Sequence, residues 1–392
     1  MLPENTLAWG RARSCIRALS EYGAVRKREI GEENVFDFSL GNPNIPAPDC
    51  VNDSIAELIR GDSVALHGYT TAAGVIPLRE KIAADLNARF GTNLGINSIY
   101  VTCGAAASLT ISLRAILMPG EEVIAPAPFF PEYRVFTEAS AGVLVPVAPR
   151  ADMQIDLDGV KAALTDKTKA IIINSPNNPS GAIFDEENLR GLAAVLLEHE
   201  KKTGNTVYLI TDEPYRELVY TGEACHSAIE FYDDTIMCYS FSKSLSIPGE
   251  RIGYIAVSDR MASGVDVYSS ILGAGRCLGF VNPPSLFQRV IERCIGQTSD
   301  VSKYKENRDI LCAGLREIGY EFIEPKGAFY LFVKSPDPDA QAFSDRAKKH
   351  ELLLVPSDDF GVGGYIRVAY CVAKDTIVRA MPAFKALLEE YK

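Results

Sequence analysis

Short apolar runs rich in β-branched residues recur through the middle of this chain, and several are followed at once by small or polar residues. They fall at about 98–102 (SIYVT), 122–125 (EVIA), 142–147 (GVLVPV), 170–173 (AIII), 207–211 (VYLIT), 235–239 (TIMCY) and 252–257 (IGYIAV). Segments with helical spacing of apolar residues separate many of them, as at 105–117 and 186–203. Alternation of this kind predicts an α/β layer structure around a mostly parallel sheet buried on both faces. The last third reads differently. A helical stretch over 286–318 precedes an apolar run at 320–333, a helix near 338–350, a strand at 363–371 and an amphipathic helix over 374–391. These elements do not alternate strictly, which suits a smaller α+β domain. No repeat or Pro/Ser-rich tether interrupts the chain, so continuous structure is expected to join the two parts. The expected division is a large domain at 45–285 and a small domain made of 1–44 and 286–392.

Composition narrows the partners. A chain of 392 residues with 47% apolar and 23% charged residues can bury a sizeable core. Its formal net charge of −11 argues against nucleic acid or an anionic membrane surface. Local arginines can still override that sign for small anions. The nine cysteines lie far apart with no CxxC pair, and the odd count argues against a disulfide framework. Four scattered histidines offer no metal cluster. The opening MLPENTLAWGRARSC lacks the apolar segment of a signal peptide, and no run approaches a membrane span. A cytoplasmic location is the expectation.

Candidate chemistry gathers after the strands. VTCGAAAS, NSPNNPSG, TDEPY and YSFSKS each follow an expected strand, and in an open parallel sheet those ends share one edge, where ligands bind. Gly104, Ala105 and Ala106 open the helix at 105–117, whose free amides could receive a phosphate. Ser240, Ser242 and Arg251 would complete an anion cup. Lys243 stands where it could form a Schiff base with a carbonyl cofactor. Asp212 ends a buried strand and needs a cation, which a protonated pyridine nitrogen would supply. Taken singly, each has an ordinary reading: a tight turn at Gly104, a surface lysine at Lys243, a helix N-cap at Asp212. The ordered set carries the argument.

That order, SLGNP, GYTTAAG, VTCGAAA, NSPNNPSG, TDEPY, SFSKS followed by GERIGY, and YIRVAY, resembles the class I/II aminotransferases of pyridoxal-phosphate (PLP) fold type I, in their aspartate-aminotransferase-like branch. The resemblance runs from about Ser14 to the C-terminus. It implies that Lys243 carries PLP and later moves a proton, and that Asp212 pairs with the pyridinium. Asn178 and Tyr215 would hold the phenolic oxygen. Phe130 would stack on the ring, with Phe129 in the core. Ser240, Ser242, Arg251 and the amides of Ala105 and Ala106 would hold the phosphate. Gly41 and Arg367 would hold the substrate α-carboxylate, the guanidinium in bidentate fashion. Tyr69 would reach the phosphate from a partner subunit, implying a homodimer. Asn178–Pro179 resembles a peptide that is often cis in the family.

Two departures bear on substrate. Ala106 stands where many relatives carry a lysine that reads a second carboxylate, and Ala105 and Ala106 lack a hydroxyl that some relatives add to the cup. Arg276, shortly before an Asn-Pro-Pro segment, matches to within about one residue the position from which dicarboxylate-specific members reach a distal carboxylate across the dimer. An arginine on the dimer surface is the alternative. The implied reaction moves an amino group from an L-amino acid, such as aspartate or glutamate, to a 2-oxo acid such as 2-oxoglutarate. A PLP lyase of the same fold, either a C–S lyase or an aminocyclopropane-carboxylate-synthase-like enzyme, would share these residues. A PLP-sensing regulatory domain would be expected to follow a basic winged-helix segment, which this chain lacks before SLGNP.

Overall fold

The computed structural model describes residues 2–11, 14–222 and 225–392. Its strands are β1 (Phe36–Asp37), β2 (Ile99–Thr102), β3 (Glu122–Pro126), β4 (Val143–Val147), β5 (Thr168–Asn174), β6 (Tyr208–Asp212), β7 (Thr235–Ser240), β8 (Gly253–Val257), β9 (Tyr330–Lys334), β10 (Leu352–Leu353), β11 (Val355–Pro356) and β12 (Tyr365–Ala369). Seven form one sheet in the order β2-β8-β7-β6-β5-β3-β4. All run parallel except β8, which is antiparallel to both of its neighbours.

Burial on both sides explains the unbroken apolar runs. Ile172 and Ile210 face a core shared with Leu109 and Leu113 of the helix Ala105–Ile116. Ile171, Ile173 and Leu209 face the other way, onto Leu189, Leu192 and Leu196 of the helix Glu186–Thr203. Successive residues of one strand thus serve opposite layers. The second helix is punctuated by its own sequence. Asp185 caps it by accepting from the Asn188 amide, Glu186 and Glu187 open it, Lys201 and Lys202 close it, and Gly204 turns left-handed at φ 76°.

The register sets the functional edge. Asn174 pairs with Asp212, and Asp212 with Cys238, so the carboxyl ends of β5, β6 and β7 lie side by side. Because β8 runs backwards, its start reaches that edge and brings Arg251 with it.

The C-terminal part holds an antiparallel sheet, β11-β12-β9, and the short parallel pair β1-β10. Its core joins Phe38, Leu311, Leu315, Phe329, Phe343, Ile366 and Phe384. The pairing of β1 with β10 fastens residues 36–37 to this region. Two expectations are corrected here. The stretch 286–318 is two helices, Ser285–Cys294 and Ser302–Ile318, parted where Gly296 takes φ 83°. The first packs on Asp49–Leu58 and Ile76–Phe90, beside the large sheet, so a division proposed on packing runs after Cys294. The run 320–333 is strand only from Tyr330, because Lys326 and Gly327 instead donate their amides to the Gly181 carbonyl. No helix among the described residues is long and apolar enough to cross a membrane.

Candidate active site

A cavity of about 280 Å³ opens at the sheet edge, lined by groups from all four of the loops that follow the expected strands and from β9 and β12. On one side lie Ala105 and Ala106, the first residues of the helix Ala105–Ile116. Gly104 before them has φ 88°, and a side chain there would press on the Arg251 guanidinium, so both conformation and space favour glycine. Ser240 and Ser242 line the same side with their hydroxyls 2.7 Å apart, and Arg251 is anchored by donating to the Pro248 carbonyl at 2.9 Å. Helix-end amides, two hydroxyls and a guanidinium therefore face one corner, which suits a phosphate.

Asp212 lies deeper and is buried. One carboxylate oxygen accepts from the Tyr133 hydroxyl at 2.7 Å, while Oδ1 is buried with no partner. Burial pushes the carboxyl up to about 7, against the Tyr133 hydrogen bond, which lowers it. An oxygen left in this state is completed by a cation or donor arriving in the cavity. Phe130 lines the cavity and meets Tyr133 edge-on at 5.8 Å, while Phe129 is in the core.

Lys243 reaches in from the turn after β7 and donates to the Gly41 carbonyl at 2.7 Å. Burial holds its ammonium down to about 8, with Arg251 and Arg367 acting in the same sense. Lowered in this way, it gives up its proton far more readily than an ordinary lysine, which suits it to act as a nucleophile and base. Arg367 is fully buried on β12. It donates to the Asn178 amide oxygen at 3.1 Å and to the Ser39 carbonyl at 2.5 Å, and its Nε has no partner. Asn178 thus presents its amide nitrogen as the donating end. The Asn178–Pro179 peptide is cis.

The fold therefore brings together Gly41, Ala105, Ala106, Phe130, Asn178, Asp212, Tyr215, Ser240, Ser242, Lys243, Arg251 and Arg367, with Gly104 just behind. Tyr69 and Arg276 are not among them. Tyr69 is 100% exposed, and Arg276 is exposed at the end of the helix Gly264–Cys277. Sequence reasoning missed other groups of the site. Tyr133 and Tyr330 sit in runs that read as core. Asn174 ends β5 and donates to the Asp212 carbonyl at 2.7 Å, a strand-end position that could have marked it. Ile16, near the start of the helix Cys15–Ile30, also lines the cavity, and nothing local distinguishes it.

The chain is similar to proteins of known class along nearly its whole length. A probable aspartate aminotransferase of Methanocaldococcus jannaschii is 31% identical over 375 residues, covering 92% of this chain and 95% of that protein. A crystal structure of an amino transferase from Eubacterium rectale matches with a TM-score of 0.98 at 46% identity, over 100% of this chain and 99% of that one. The aspartate aminotransferase of Thermus thermophilus, solved with maleate, matches with a TM-score of 0.87 at 25% identity over 99% of each chain. The family model for aminotransferase class I and II matches residues 33–384. On that span the chain belongs to the class I and II aminotransferases and is a pyridoxal-phosphate-dependent enzyme.

Proposed function

We propose that this enzyme transfers the amino group of an L-amino acid to a 2-oxo acid, with PLP held at Lys243. The observation that carries the reading is the buried, half-satisfied carboxylate of Asp212 in the same cavity as a lysine of lowered proton affinity. The residues fit the cofactor: the amides of Ala105 and Ala106 with Ser240, Ser242 and Arg251 suit its phosphate, Asp212 its ring nitrogen, Asn178 and Tyr215 its phenolic oxygen, and Phe130 its face. When bound, PLP supplies a carbonyl that captures amines and a ring that accepts the electron pair released at the substrate Cα.

The chain's residues do the rest. Asp212 keeps a positive charge on the ring nitrogen favourable. Arg367 and Gly41 orient the substrate by its α-carboxylate, with the guanidinium held in place by Asn178 and Ser39. Lys243 takes the proton from the substrate Cα once its amine is released.

The assembly is a homodimer in this reading. Tyr69 is fully exposed, and Asn282 donates to the Thr70 and Thr71 carbonyls, which fastens the Tyr69 loop to the segment following Arg276. Leu278 and Val281 of that segment are exposed apolar side chains. One patch would then deliver Tyr69 and Arg276 together to a partner's cavity. Among the described residues lining the cavity, Lys243, Arg251 and Arg367 are the cations, and each already has a role. Arg276 of a second copy is thus the candidate reader of a distal carboxylate. The name of the Methanocaldococcus relative and the maleate in the Thermus structure support a four-carbon dicarboxylate as one substrate.

Single-turnover spectra test the reading. Mixed with individual amino acids and no oxo acid, the holoenzyme should convert its bound cofactor to the amino form, fastest with aspartate or glutamate, and 2-oxoglutarate should reverse the change. Release of pyruvate or ammonia without conversion would contradict it.

A further inference from the structure

Tyr330 touches more of this site than any role given above uses. It opens β9, is buried, and lines the cavity. Its hydroxyl lies 3.0 Å from that of Tyr215, with the rings edge-on at 81°. The Arg367 guanidinium lies over its ring, 4.6 Å from the centroid. Gly41 leaves room for the Tyr330 hydroxyl, since any side chain at Gly41 would collide with it, and the Gly41 carbonyl in turn receives Lys243. One side chain thus borders the groups proposed for the phenolic oxygen, the α-carboxylate and the lysine.

We infer that Tyr330 is a positioning residue with two separable parts: its hydroxyl directs the proton of Tyr215 into the cavity, and its ring holds the Arg367 guanidinium in plane for the substrate carboxylate. The inference rests on the proposed placement of PLP. Tyr215 has one proton to donate. When Tyr330 donates to the Tyr215 oxygen, that proton is free for the cavity, and donation in a chain strengthens each link. Burial keeps the Tyr330 hydroxyl protonated, pushed up to about 12, so the arrangement holds at working pH. A flat aromatic face under a guanidinium limits its tilt, which matters for a group expected to grip a carboxylate with two parallel bonds.

The two parts predict different losses. Tyr215 competes with the lysine linkage's proton for the phenolic oxygen, so weaker donation lets the linkage keep its proton to higher pH. In Tyr330→Phe holoenzyme, the pH at which the bound cofactor's absorbance band switches should rise by about half a pH unit or more, the scale of one neutral hydrogen bond. Michaelis constants for amino donors should change by less than about twofold, because the ring remains. Tyr330→Leu should instead raise those constants by about fivefold or more for every amino donor, since all share the α-carboxylate. In a Tyr215→Phe background, the added Tyr330→Phe change should leave the absorbance midpoint where Tyr215→Phe alone puts it. A normal midpoint in Tyr330→Phe, or the same shift without Tyr215, overturns the hydroxyl's role. Unchanged constants in Tyr330→Leu overturn the ring's. If the unsubstituted enzyme takes up PLP but shows no linkage at Lys243, the placement of the cofactor has failed and the inference falls with it. A normal wild-type band with unresponsive variants condemns Tyr330 alone.

Discussion

Asp212 and Glu213 are neighbours at the end of β6, both carboxylates and both buried, yet the fold treats them oppositely. Glu213 is satisfied from within. Thr211 donates to it at 2.9 Å and Ser227 at 2.5 Å, and Arg216 lies 3.4 Å from its other oxygen, itself stacked 4.3 Å from the Tyr239 ring centroid. Asp212 has Tyr133 on one oxygen and nothing on the other. Strand alternation sends the two side chains to opposite faces of the sheet, one into a closed polar network and one into the cavity. Burial raises the proton affinity of both. Burial alone therefore does not mark a functional carboxylate, and the missing partner does.

Substituting each carboxylate by its amide should separate them. Asp212→Asn is expected to lower turnover by about two to three orders of magnitude, as when one side of a buried charge pair is removed, while cofactor binding stays measurable. Its folded-state carboxyl is raised from 3.8 to about 7, so in cofactor-free enzyme its contribution to stability is present at low pH and lost as pH rises through 7. Cofactor-free Asp212→Asn should consequently melt no lower than cofactor-free wild type at pH 8, and the order should reverse when PLP is bound. Glu213→Gln should lower the melting temperature with and without cofactor alike and leave donor preference unchanged, because it disturbs the Arg216 network rather than the cavity. Matching thermal behaviour of the two variants would break the distinction.

A loss of similar size, but confined to dicarboxylate substrates, is expected at the exposed patch. Arg276→Ala should cost about 2–5 kcal/mol in transition-state stabilisation for aspartate, glutamate and 2-oxoglutarate, and little for alanine or an aromatic donor. Equal losses for all donors would indicate structural damage, and no loss would leave Arg276 a surface residue.

The smallest effect is on rate alone. Lys243 is lowered from 10.5 to about 8, so its neutral amine grows tenfold per pH unit below 8 and levels off above it. Capture of PLP by cofactor-free enzyme, followed by stopped-flow absorbance, should track that curve. A midpoint near 10 would mean that the amine is not buried as described.

Much of this site is legible in the amino-acid sequence, because polar loops directly after apolar strands can converge only at one edge of a parallel sheet. Asp212, Lys243 and Asn178 stand out on that ground. Arg251 arrives differently, from the start of the antiparallel β8, and its distance in sequence from Lys243 does not reveal that reversal. Tyr133 and Tyr330 are hidden because YRVF and AFYLFV read as packing, and a tyrosine in such a run declares its hydroxyl only when a partner from a distant element is brought opposite it. The two-residue strands β1, β10 and β11 carry too little pattern to be read, and the break at Gly296 is masked by helical spacing on both sides. Tyr69 and Arg276 are legible only through the family resemblance, since their proposed partners belong to another copy of the chain.

The central claim is that Lys243 holds the cofactor in the cavity bounded by Asp212. Borohydride reduction of the holoenzyme, followed by proteolysis and peptide mass spectrometry, tests it most directly. A single phosphopyridoxyl group on the peptide containing Lys243, absent in Lys243→Ala, is the predicted result. Stoichiometric labelling of any other lysine, or retained labelling in Lys243→Ala, would contradict it.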